Sequence, residues 1–141
     1  MKSATRIFNE WAIKNKDVGM QRTHSPAVMD MLQYSLSRLH TAFSFIDAGC
    51  GNGWAVRYMN TQPMCTNAIG VDGAIEMINK AKRLDTKGRY ILSDLLDYQP
   101  SKKVTLVHSM EVFYYFKDPS KLVNPVSYTH LRAHETLRNL L

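Results

Sequence analysis

The chain has little cysteine, no long apolar run and no repeated or low-complexity stretch. Two cysteines in 141 residues, Cys50 and Cys65, do not make a disulfide framework, and neither has a partner at metal-ligand spacing. A reduced, cytoplasmic setting is expected. The N-terminus lacks the apolar core of a signal peptide, and no run approaches the roughly 20 residues that span a bilayer, so no membrane partner is expected. Charge of one sign is not concentrated either. The formal net charge of +6 is spread along the chain, and its densest cluster is Lys80, Lys82, Arg83, Lys87 and Arg89. That cluster reads as a solvated helix end, with a nucleic-acid patch as the sharper alternative. A nucleic-acid partner is disfavoured.

What the chain does have is a glycine-rich turn between two patterned segments. The short apolar run at residues 42–46 leads into Asp47-Ala48-Gly49-Cys50-Gly51-Asn52-Gly53, and a helix-like run begins at Trp54. An acid closes the strand, and three glycines at alternate positions make the turn. Glycine lets the backbone adopt positive φ and press against a ligand. The helix start is expected to offer unpaired N–H groups to a negatively charged ligand group. Taken alone, such a turn is as often plain packing as a binding loop.

Three further apolar runs follow, and two of them end in the same manner. Ala68-Ile69-Gly70-Val71-Asp72 reads as a buried strand closed by an acid. Asp72 lies about 20 residues past the loop, where a nucleotide-binding βαβ unit places the carboxylate that holds ribose hydroxyls. A carboxylate can accept both hydrogen bonds of a diol. Residues 73–83 follow as a helix, with Ala74, Ile75, Met77, Ile78 and Ala81 apolar, Glu76 in the first turn and basic residues in the last. Tyr90-Ile91-Leu92-Ser93-Asp94-Leu95 is a third such run, and residues 104–108 a fourth, followed by Ser109-Met110-Glu111-Val112 and the aromatic stretch Phe113-Tyr114-Tyr115-Phe116. Asp118-Pro119 opens another helix, as cap and first helical position.

This ordered set resembles the class I, Rossmann-like S-adenosylmethionine (SAM)-dependent methyltransferases, over roughly residues 45–122. That family has an acid followed by G-x-G-x-G, whereas the dinucleotide fingerprint is G-x-G-x-x-G. The resemblance implies an α/β fold, a three-layer α/β/α methyltransferase sheet with N-terminal helices. The family sheet has seven strands, so the fold is expected to be truncated after about the fourth parallel strand, leaving a sheet edge prone to aggregation. It implies SAM as cofactor, with Asp47, Ala48, Gly49, Cys50, Gly51, Gly53, Asp72, Gly73, Asp94, Leu95 and Met110 as cofactor-binding residues. Asp94 takes the place of the acid that meets the adenine amino group, with the backbone of Leu95 beside it. Each acid also has a plain reading, as a helix cap at Asp72 and a turn residue at Asp94.

Residues 1–41 precede the sheet as an N-terminal helical cap segment. Ile7, Phe8, Trp11 and Ala12 suggest a short amphipathic helix. Residues 17–24 read as a loop through Gly19, and Ser25-Pro26 as the start of a second helix with Val28, Met29, Leu32, Leu36 and Leu39 on its apolar face. Leading helices in this family often cover the cofactor and line the acceptor site, which makes Trp11, Met20 and His24 candidate lining residues. Trp11 as plain core and His24 as a loop residue are the competing readings. Glu111, Tyr114 and Tyr115 are the corresponding candidates after the fourth strand.

The domain organisation expected is therefore 1–41, a SAM-binding domain at 42–124, and a tail at 125–141. The stretch Val126-Ser127-Tyr128-Thr129-His130-Leu131-Arg132-Ala133-His134-Glu135-Thr136 resembles the in-frame translation of a transposase-type sequencing adapter. Such scars are excluded from fold reasoning, and the native sequence is expected to stop at about Asn124. The competing reading is a native amphipathic helix. His130 and His134 beside Glu135 mimic a zinc pattern without being H-E-x-x-H, and no metal is expected.

The activity implied is methyl transfer from SAM to a small-molecule acceptor. The base-amine motif Asp/Asn-Pro-Pro-Tyr/Phe is absent after the fourth strand, where Ser109-Met110-Glu111-Val112 stands. No residue is marked as a catalytic base. A methyltransferase-like module that binds SAM without turnover is the alternative, and an NAD-dependent oxidoreductase comes next.

Overall fold

Aromatic and β-branched runs separated by helical periodicity fold as an alternating α/β chain. The computed structural model describes residues 2–110. The expectations for Glu111, Tyr114, Tyr115 and the 125–141 tail lie outside the described residues. In order, the elements are α1 (Lys2–Ile13), α2 (Lys16–Arg38), β1 (Phe43–Ala48), α3 (Trp54–Asn60), β2 (Cys65–Asp72), α4 (Ile75–Leu84), β3 (Arg89–Leu92) and β4 (Leu106–His108).

The strands make one sheet in the order β3-β2-β1-β4, and every pairing is parallel. Parallel strands need crossover connections, supplied here by α3 and α4. The chain steps outward from β1 to β3, then returns to place β4 on the other side of β1. That reversal leaves a crevice between the carboxyl ends of β1 and β4, the usual ligand position in open α/β sheets.

Alternation along β1 decides what each face carries. Phe43 and Phe45 join Val28 and Leu32 of α2, Ala55, Val56 and Met59 of α3, and Ile78 and Ala81 of α4 in one core. Ile46 points to the opposite face, with Ile69, Val71, Leu95, Val104 and Val107. Among the described residues that second face is covered by the segment 95–104 rather than by a helix. Helix α1 stacks on α4 through Phe8, Trp11 and Ala12 against Ala74 and Met77, while Ile7, expected on the same apolar face, is 47% exposed.

The largest departure from the sequence reading is α2. The expected loop at 17–24 and helix start at Ser25-Pro26 are instead one continuous 23-residue helix with Pro26 inside it. Proline in a helix interior removes one hydrogen bond and crowds the carbonyl four residues back, costing about 3 kcal/mol. Gly19, Arg22 and Pro26 are all exposed, so the freed Arg22 carbonyl faces solvent. The other face is fixed by buried contacts at Asp17, Val28, Leu32 and Ser35. Asn15, in the left-handed region at φ 55°, makes the corner between α1 and α2.

Candidate functional site

The glycine turn is built as its composition requires. Gly49, Gly51 and Gly53 take φ values of 84°, 52° and 81°. These positions do not share one role. A Cβ on Gly51 would meet nothing within 4 Å, so this glycine leaves open space over the loop. A Cβ on Gly53 would lie 2.5 Å from the Tyr90 ring, so this glycine makes room for packing. Tyr90 in turn donates from its hydroxyl to Asp85 Oδ2 at 2.7 Å. Burial, and then the Asp85 carboxylate, push the Tyr90 phenol well above its ordinary value.

The expectation of free N–H groups at this turn is narrowed. Gly49 and Cys50 donate to the Val71 carbonyl at 2.7 and 3.1 Å, and Gly53 donates to Cys50 at 2.9 Å. Gly51 donates to Asp72 Oδ2 at 2.9 Å, and Trp54 to Asn52 Oδ1 at 3.2 Å. Five donors of the turn are thus spent inside the protein.

Asp72 is a turn-builder and a candidate binding group at once. Its Oδ1 accepts from Ala74 N–H at 2.8 Å while Oδ2 holds Gly51. A carboxylate has about four lone-pair sites, so capacity remains for a diol. Burial raises its pKa against the pull of those backbone donors. Asp94 is exposed and caps its own turn, accepting from Leu96 N–H at 2.9 Å. The Leu95 side chain belongs to the core. The backbone joins the ends of β2 and β3, since Ser93 donates to the Asp72 carbonyl at 3.1 Å.

A cavity opens at the β1–β4 crevice beneath α2. Of the sequence candidates, Asp47, Gly49, Cys50, Gly51, Met110, Met20 and His24 line it. Asp72, Gly73, Asp94 and Leu95 do not; they sit one and two strands further along. Ala48, Gly53 and Trp11 are also absent from its walls, and Trp11 packs on α4. Cys50 is fully enclosed, and burial, then Asp72 and Asp47, hold its thiol well above the ordinary value. It is a neutral space-filler, fitted against Gly70, where a Cβ would lie 2.7 Å from its sulfur.

Sequence reasoning missed Asp17, Gln21, Asn52 and His108, all of which line the cavity. Asp17, Gln21, His24 and Val28 fall at helical spacing, a signal hidden once the segment was read as a loop. Asn52 donates to Asp17 Oδ2 at 2.9 Å and to Gln21 Oε1 at 3.0 Å, binding α2 to the glycine turn. Lys80 of α4 completes the tie, donating to Asp17 Oδ1 at 2.7 Å and Asn15 Oδ1 at 2.8 Å. Lys80 was assigned to a solvated cluster; it is 9% exposed and neutralises a buried acid. His108 is register partner to Asp47 across β1 and β4, and its Nδ1 lies 3.0 Å from Asp47 Oδ1.

Comparison with known proteins points to one family. The family described as "Methyltransferase domain" matches residues 46–127. The trans-aconitate 2-methyltransferase of Pseudomonas aeruginosa is 27% identical over 77 residues, 55% of this chain and 28% of that protein. A chain in the complex between the Haloferax volcanii Trm112 methyltransferase activator and a methyltransferase is 28% identical, with a TM-score of 0.67 over 82% of this chain and 52% of its own. The plantazolicin methyltransferase BpumL, solved with a desmethylPZN analog and S-adenosylhomocysteine, has a TM-score of 0.63 at 21% identity, over 85% of this chain and 51% of its own, a likeness of fold. The chain thus spans 28% of its curated relative and about half of these structures. With more than half of its residues matched, the chain belongs to the methyltransferase domain family.

Proposed function

We propose that this chain forms the cofactor-binding part of a SAM-dependent methyltransferase that acts on a small molecule. One observation carries the reading. The cavity at the β1–β4 crevice has Asp47 in its wall beside Asp17, which Lys80 neutralises, and, among the described residues, no Lys or Arg, and the N–H groups of Gly49, Cys50, Gly51, Gly53 and Trp54 are already partnered. That lining suits a cationic ligand such as SAM. It disfavours a pyrophosphate, which a dinucleotide would bring to this turn. The space above Gly51 and the spare lone pairs of Asp72 fit the same ligand.

SAM, when bound, supplies a methyl group activated by its positively charged sulfur. The chain's share is positioning. Asp72 would hold the ribose hydroxyls, with Gly73 beside it. Asp94 and the backbone of Leu95 would meet the adenine, and Asp47, Ala48, Gly49, Cys50, Gly51, Gly53 and Met110 would form the surround of the amino-acid end. Met20 and His24 of α2, with Trp54, line the cavity and would keep water from the bound ligand, which favours displacement at a fixed geometry. Trans-aconitate, in the name of the P. aeruginosa relative, supports a small-molecule acceptor.

Titration with SAM and S-adenosylhomocysteine tests the reading. Asp72→Ala is expected to weaken SAM binding about 10-fold or more, through lost charge-assisted hydrogen bonds. Unchanged affinity in that variant sinks the ribose assignment, and a preference for NADH over SAM sinks the cofactor.

A further inference from the structure

Helix α2 is fastened in two different ways along its length. From Val28 onward apolar packing holds it: Val28 and Leu32 are in the core, with Met31 and Leu36 packed against it. Between residues 16 and 27 the only buried residue is Asp17. This first part is tied to the body through side-chain hydrogen bonds. Asn52 donates to Asp17 and Gln21, and Lys80 donates to Asp17 and Asn15. The same part supplies Asp17, Met20, Gln21 and His24 to the cavity wall. The junction between the two parts is mechanically weak. Pro26 has no N–H to give the Arg22 carbonyl. Thr23 Oγ1 donates to the Gly19 and Met20 carbonyls, both at 3.0 Å, in competition with the helix ladder. The left-handed Asn15 bounds the part at its other end.

We propose that residues 16–25 form a lid over the cavity, hinged at Pro26 and at the Asn15 corner and latched by Asn52 and Lys80, and that a ligand enters when this arm lifts. Only the identity of the ligand rests on the SAM reading above. Lifting the arm uncovers none of its own apolar side chains, because none of them is buried, so the hydrophobic penalty is small. Asp17, Asn52 and Lys80 would each exchange a protein partner for water, and such an exchange is a small net term when both sides are hydrated. Lifting the part beyond Pro26 would instead expose Val28 and Leu32, which are 3% and 1% exposed. Opening therefore stops at Pro26. The latch belongs to the glycine turn itself. Asn52 Oδ1 accepts from Trp54 N–H, and its carbonyl accepts from Arg57 at 2.6 Å, so Asn52 stays with the turn when the arm leaves. Segments that open locally at low cost are the ones from which lids are made.

The experiment is amide hydrogen exchange on the 141-residue chain, free and with SAM, beside stopped-flow SAM binding read by tryptophan fluorescence, Trp54 being in the cavity wall. In the free chain residues 20–25 should exchange as one unit, at least about tenfold faster than residues 29–37. Fraying of a helix end would instead give rates that fall steadily from residue 20 to residue 25. SAM should slow the exchange of 20–25. Asn52→Ala should speed it by about tenfold while β1 and β2 stay within about threefold of the parent. Gln21→Ala removes one latch bond at a half-buried site and should give a smaller shift of the same sign, which covers the case in which Asn52→Ala does not fold. Pro26→Ala, outside the cavity wall, should restore the missing helix bond and slow SAM association and dissociation together, with Kd within about threefold. One exchange rate along all of α2, a fraying gradient, or unchanged binding rates in Pro26→Ala overturns the lid and leaves the SAM site standing. No SAM binding by the parent overturns the cofactor reading, and the exchange pattern of the free chain and the Gln21→Ala variant then decides the lid by itself.

Discussion

The glycine turn after β1 and the first turns of α2 face one another across the cavity, and opposite means hold them. The turn is shaped by backbone: three positive-φ glycines, with N–H groups donated to the end of β2, within the turn or to the Asp72 carboxylate. The α2 side is shaped by side chains far apart in sequence, with Asp17 joined to Lys80 and to Asn52. Backbone conformation is a local property, so the turn announces itself in seven consecutive residues. A buried ion pair is not local. Asp17 and Lys80 are each unremarkable in sequence until the fold brings them together.

That difference breaks most visibly at the ion pair. Lys80→Met leaves Asp17 buried with only Asn52 to satisfy it. We expect a loss of about 3–5 kcal/mol in denaturant unfolding, much of it recovered in the double variant with Asp17→Asn. A loss confined to the surface-pair range of about 1 kcal/mol or less would show that α2 is held by its apolar face alone.

The backbone side divides next. Gly53→Ala combines positive φ with a collision against the Tyr90 ring and should cost roughly 2–4 kcal/mol. Gly51→Ala meets only open space and should cost about 1 kcal/mol in stability, its larger effect falling on SAM affinity. Equal stability losses at the two sites would erase the distinction between a packing glycine and a ligand-facing one.

The smallest effect concerns Asp85 at the rim of the same packing unit. Burial raises its carboxyl, but donors from Tyr90, Lys87 and Gly88 outweigh this and leave it below its ordinary value of 3.8. A depressed carboxylate contributes stability above the unfolded pKa and loses it as the pH falls through the folded one. The stability gap between the parent and Asp85→Asn should therefore be full at pH 6 and shrink below pH 4, with Tyr90→Phe narrowing it at both. A gap independent of pH would remove the charge from the account.

How much could be read in advance follows the same division. Three of the four strand ends were legible from their acids, because short apolar runs ending in Asp47, Asp72 and a polar pair at Ser93-Asp94 mark a buried parallel sheet with polar residues at its carboxyl edge. Gly19 and Ser25-Pro26 misled, because local propensity treats both as interruptions while α2 carries them on its solvent face. The unpaired N–H groups expected at the turn were a local inference too, and Val71 and Asp72 at the end of β2 take those of Gly49, Cys50 and Gly51.

By itself the sequence determined the alternating α/β order, the left-handed turn and the acids at the strand ends, since hydrophobic period and glycine conformation act over a few neighbouring residues. Only the tertiary structure decided that β4 returns beside β1, that His108 meets Asp47 there, and that Lys80 is buried against Asp17. Each of those contacts joins residues more than sixty positions apart, and no local rule ranks such pairings until packing closes the chain around them.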